Sequence, residues 1–65
     1  MKILTWHARY KKKITLVELS KITGISKSAL NNIENEKVSP TLNQLEHIAE
    51  ALKIHITDLF ESDFK

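Results

Sequence analysis

Four polar side chains fall within one short stretch of the chain: Lys27, Ser28, Asn31 and Asn32. A lysine offers three donors, a hydroxyl can donate and accept, and a carboxamide presents donor and acceptor side by side. Such a set suits hydrogen-bond recognition of a polar surface rather than bond making. The residues that could do covalent or metal chemistry are poorly arranged for it. His7, His47 and His55 show no H-x-x-x-H or other ligand spacing, and no glycine-rich loop is present to cradle a phosphate. There is no cysteine, hence no thiolate ligand and no disulfide. A serine, a histidine and an aspartate can be combined on paper, but nothing would orient them or exclude water. The expectation is a binding protein rather than an enzyme, with no catalytic residue, no metal and no cofactor.

Charge narrows the class of partner. The net charge is only +2, but it is unevenly spread. Through Lys37 the chain has eight basic residues against three acidic ones; from Val38 onward it has two against five. A basic half joined to an acidic half fits one face turned to an anionic polymer and another turned away. Solvation of a short helical chain accounts for the same asymmetry without any partner. The run Lys11, Lys12 and Lys13 is equally ambiguous, because cations near a helix C-terminus also complement its dipole.

The elements that position these residues must be short. A chain of 65 residues allows one domain over residues 1–65, which buries only about 60% of its unfolded surface and gains from a partner subunit. One glycine and one proline leave little turn chemistry for hairpins, so an all-α domain is expected. No apolar run is long enough for a membrane span, and polar residues interrupt the basic start before any signal-peptide core. A cysteine-free chain of this kind is expected in the cytoplasm.

A first helix is expected over residues 4–12, with Thr5 as its cap. Thr15 and Glu18 make a T-x-x-E capping box, so a second helix should begin at Leu16 and stop at Gly24 in the left-handed conformation. Ser26 is a good N-cap for a third helix, from Lys27 to Glu34, ending near Asn35, which tolerates the left-handed region. At about 100° per residue, Lys27, Ser28, Asn31 and Asn32 share one side of that helix, and Ala29, Leu30 and Ile33 the other. Thr41 and Gln44 form a second capping box beyond Pro40, followed by the apolar stripe Leu42, Leu45, Ile48, Ala49 and Leu52. A fifth helix is expected over residues 57–60, with Leu59 and Phe60 plugging the bundle and Phe64 anchoring the tail.

The ordered set is more specific than its parts. The span TLVELSKITGISKSALNNIE, followed by NEKVSPTLNQLEHIAEALKIHITDLF, resembles the phage repressor and Cro type helix-turn-helix family, also called the XRE family. The matching elements are the T-x-x-E-L start, the G-[IV]-S turn, the I-E-N end of the third helix, the S-P-T cap and the A-x-x-L-x-I…D-L-F close. The resemblance covers roughly residues 4–60 and implies a compact five-helix lambda-repressor-like DNA-binding domain, its helix-turn-helix over residues 15–34. It implies a transcriptional regulator, a repressor by family habit, that binds double-stranded DNA as a homodimer. Lys27, Ser28, Asn31 and Asn32 then lie where bases are read in the major groove. Lysine can donate to guanine O6 and N7, and asparagine can pair with adenine N6 and N7. Phosphate contacts fall to Thr15, Leu16 and Val17 through backbone N–H groups, and to Asn35 and Lys37. Arg9 and Glu34 match a partly buried structural salt bridge. Dimerisation is expected through the connection after the fourth helix and the tail, including Ile54, Ile56 and Phe64.

Several positions depart from the family pattern. Leu16 replaces a polar residue, Ser20 a small apolar one, and Ile22 and Thr23 invert the usual order. Lys13, Glu36 and Lys53 stand where glycine is usual. The apolar Leu16, Val17 and Ile22, with the carboxylate of Glu36 beside an expected phosphate, motivate an alternative to DNA binding: an antitoxin-like or anti-repressor module that binds a protein partner on the same fold.

Overall fold

The computed structural model describes residues 1–65. Four α-helices make up most of it: α1 (Thr5–Lys11), α2 (Leu16–Thr23), α3 (Lys27–Glu34) and α4 (Leu42–Leu52). A 3-10 turn, Ile56–Leu59, follows, and two short strands, β1 (Lys2–Ile3) and β2 (Phe60–Glu61), pair antiparallel. The expected fifth helix is therefore a single 3-10 turn, and Phe60 is the first residue of a strand. Composition argued against hairpins. This sheet is not a hairpin, because it joins the two ends of the chain and needs no tight turn. No helix is long and apolar enough to cross a membrane.

The caps fix where the helices begin. Thr15 Oγ1 accepts from Glu18 N at 3.1 Å and the Glu18 carboxylate accepts from Thr15 N at 3.0 Å, so α2 starts with a complete capping box. Thr41 and Gln44 repeat it for α4, at 3.0 and 2.9 Å. Ser26 Oγ accepts from Ala29 N at 3.1 Å and starts α3. The first helix differs from expectation. Leu4 occupies its N-cap position, and Thr5 is the first helical residue, buried, its hydroxyl without a partner.

Helix ends are set by left-handed residues. Gly24 ends α2 at φ 75°, a conformation that costs glycine nothing in sterics. Asn35 caps α3 with φ −91°, so the left-handed residue is not Asn35 but Glu36, at φ 55°. Lys13 and Lys53 adopt φ 58° and 57°. The three places where glycine is usual thus keep a glycine-like backbone while carrying long side chains.

The core forms where α2, α3, α4 and the 3-10 turn meet: Leu19, Leu30, Leu45, Ile48, Ala49, Leu52 and Leu59. Ile33 and Ile3 are also buried. Leu16, Ile25, Ile54, Ile56 and Phe60 pack around the core, partly covered. Two apolar expectations fail. Leu42 is 75% exposed, because as the first residue of α4 it precedes the turn that meets the core. Phe64 is 98% exposed and anchors nothing.

Candidate nucleic-acid interface

The outer face of α3 follows from what its inner face buries. Leu30 and Ile33 are both 1% exposed and lock the helix rotation. Lys27, Ser28 and Asn31 are consequently exposed on the opposite side, whereas Asn32 sits at the edge of that face, half-buried. Asn31 and Asn35 are joined along the helix: Asn31 Oδ1 accepts from Asn35 Nδ2 at 3.2 Å. The loop beyond α3 closes through Lys37 N, which donates to Asn32 O at 2.9 Å, leaving the Lys37 side chain exposed.

Polar side chains brace the α2–α3 turn. Ser20 Oγ donates to Ile25 O at 2.7 Å. Thr23 Oγ1 donates to Leu19 O at 2.7 Å and accepts from Ile25 N at 3.2 Å. The Ser20 departure and the Ile22–Thr23 inversion thus have one structural basis: Thr23 turns inward to bond the turn, and Ile22 is left 59% exposed. Sequence reasoning missed this brace. Its only signal was a pair of hydroxyl residues close before a lone glycine.

The N-terminus of α2 is an anion-attracting feature with a reduced donor set. The Leu16 and Val17 N–H groups find no acceptor within the chain. The Thr15 N–H, by contrast, donates to the Glu18 carboxylate at 3.0 Å within the chain. Leu16 is half-buried against the core, and only Val17 of the two adjoining side chains is exposed. Two hydrogen bonds from Thr15, one from its backbone and one from its side chain, hold the Glu18 carboxyl below its ordinary range.

Glu36, awkward in sequence because its charge would oppose a phosphate, is engaged elsewhere. Its carboxylate accepts from Ile3 N at 3.1 Å and ties the loop after α3 to β1. Arg9 fixes the same end of α3 from below. Its Nε and Nη2 donate to Glu34 at 2.7 and 3.1 Å, and its Nη1 donates to Ile14 O at 3.0 Å. One guanidinium therefore ties α1, the α1–α2 loop and α3 together.

Lysines 11, 12 and 13 are exposed beside the start of α2, on the same part of the chain as the free N–H groups. The arrangement combines an exposed donor-rich helix face, two open N–H groups at a helix N-terminus and surrounding cations. A duplex presents base edges for the first and phosphates for the others.

No curated protein matches the chain. A family model described as a Cro/C1-type HTH DNA-binding domain matches residues 6–65, nearly the whole chain. The geometry and that match lead to one statement: the chain belongs to the family of Cro/C1-type helix-turn-helix DNA-binding domains.

Proposed function

We propose that this protein is a sequence-specific transcriptional regulator, acting as a repressor, that lays α3 in the major groove of double-stranded DNA. The observation carrying the proposal is the exposed Lys27, Ser28 and Asn31 face, backed by buried Leu30 and Ile33. Lys27 and Ser28 at the start of α3 read base edges, with Asn31 beside them and Asn32 reaching from the rim. Leu16 and Val17 N–H groups, Asn35 and the Lys37 ammonium meet phosphates and set the register. Thr15 contributes through its hydroxyl rather than its N–H. Two copies related by a twofold axis read half-sites roughly 34 Å apart, about one turn of the duplex. The regulator acts in the cytoplasm and takes no cofactor.

The rival reading as a protein-binding module drew on Leu16, Val17, Ile22 and Glu36. Leu16 packs against the core and Glu36 is bonded to Ile3 N, which leaves two exposed apolar residues on α2 as its support. A titration against random duplex DNA at two salt concentrations separates the readings. Affinity should fall about 0.9 decades per decade of salt for each phosphate neutralised. Absence of any binding at low ionic strength would favour the rival.

A further inference from the structure

A groove lies between α1 and the segment that carries the 3-10 turn, with a volume of about 580 Å³. Leu4, Trp6, Tyr10 and Ile54 give it apolar walls, and Lys11 and Lys12 stand on its rim. Trp6 and Tyr10 are stacked, with ring centroids 5.1 Å apart and planes inclined by 14°. They form a flat aromatic wall, yet both rings remain exposed to solvent. Large exposed aromatics in a continuous groove are the kind of surface that an interface covers. Asp58 is the one carboxylate there, and it already accepts from His55 N at 3.1 Å.

We propose that this groove receives Phe64 from the tail of a second copy of this chain. The tail has the complementary chemistry: Phe64 is 98% exposed and lies between Asp63 and Lys65, with Glu61 three residues before it. Glu61 is paired with Lys65 at 3.8 Å, so Asp63 is the unpaired charge beside Phe64, and an apolar knob with one acidic neighbour meets an aromatic wall with two basic neighbours. The tail is also already shaped for presentation. Phe64 N donates to Ser62 Oγ at 3.1 Å, and Lys65 Nζ folds back to Phe60 O at 3.0 Å. That fold engages the tail cation with its own chain and leaves the Phe64 ring outside. In the twofold pair proposed here each groove takes the other copy's tail, so the contact is made twice, as in an isologous interface. This inference rests on the pairing of copies proposed above and gives that pairing a surface.

Trp6 is the only tryptophan, so its emission reports the groove directly. The full chain, without DNA, is followed by sedimentation and by Trp6 emission from about 1 μM to 1 mM, a range that spans weak association. The expected result is a dimer whose formation shifts the emission to the blue. Phe64→Ala, at a site with no packing to lose, should weaken that dimer at least about tenfold, as loss of a buried aromatic anchor does. Lys11→Glu with Lys12→Glu should weaken it too, and adding Asp63→Lys to the same chain should restore part of the loss. A dimer that survives Phe64→Ala, or forms without moving the Trp6 emission, overturns the groove while leaving pairing itself intact. A monomer throughout overturns the groove as well, and the duplex titration then decides independently whether the outer face of α3 binds DNA.

Discussion

Arg9 and Glu34 form a two-pronged ion pair, Nε to Oε2 at 2.7 Å and Nη2 to Oε1 at 3.1 Å, with side chains only 14% and 6% exposed. Because Glu34 is the last residue of α3 and Arg9 belongs to α1, the pair fixes the far end of the helix proposed to read DNA. Removing one member of such a pair leaves the other charge covered and unmatched, at about 3–5 kcal/mol. Arg9→Ala should be the worse change, because it also frees Ile14 O and strands a more deeply buried carboxylate. Glu34→Ala leaves Arg9 its bond to Ile14 O. Urea unfolding of both variants checks that order, and equal or negligible losses would contradict it.

The left-handed residues should respond to glycine in opposite ways. A non-glycine residue in this region costs about 1–2 kcal/mol, partly offset by the extra chain entropy of glycine. Lys53 is exposed at φ 57°, so Lys53→Gly should stabilise by about 0.5–1 kcal/mol. Glu36→Gly gains the same relief but loses the bond to Ile3 N, and should destabilise by about 1 kcal/mol. Thermal unfolding of the two variants distinguishes them.

Glu18 makes part of the stability depend on acid. Its carboxyl titrates below its ordinary value of 4.5 because backbone and side-chain hydrogen bonds from Thr15 favour the charged form. A lowered folded-state pKa contributes stability that is fully present above the unfolded value and lost as pH falls through the folded one. The advantage of the native chain over Glu18→Gln should therefore be constant above 4.5 and shrink below it. A difference independent of pH between 3 and 6 (about the window of carboxylate titration) would show that the carboxylate charge does not support the cap.

Thr5 has a hydroxyl buried without a partner. Burying such a group costs about 1–3 kcal/mol, and valine has nearly its shape without the hydroxyl. Thr5→Val should raise the unfolding free energy by about 1 kcal/mol, and denaturant titration reads this directly.

Much of this fold could be read from local signals. Capping boxes at Thr15 and Thr41, the cap at Ser26 and the stop at Gly24 act over four residues or fewer, so the sequence displays them. The outer face of α3 follows from the positions of Leu30 and Ile33. What escaped depends on distant partners. The Glu36 carboxylate looks like a repulsive surface charge until Ile3 N, 33 residues away, is placed beside it. The pairing of β1 with β2 joins the chain ends and has no turn signature. The close of the chain at residues 57–60 tightened into a 3-10 turn and a strand residue, a distinction that four residues cannot encode. The Trp6–Tyr10 stack was accessible, since residues four apart share a helix face, but its exposure depends on what α1 packs against.

The most direct test of the reading face begins with a duplex enriched by the protein from a random pool. The native chain and the Lys27→Ala, Asn31→Ala double variant are titrated against that duplex and against random DNA at the same salt. Each good bidentate base contact discriminates by about 1–3 kcal/mol, so the double variant should lose at least about tenfold in selectivity. Both side chains are exposed, so its thermal unfolding should stay close to that of the native chain. Selectivity that survives the double change in a stably folded protein would contradict the assignment of α3 as the reader.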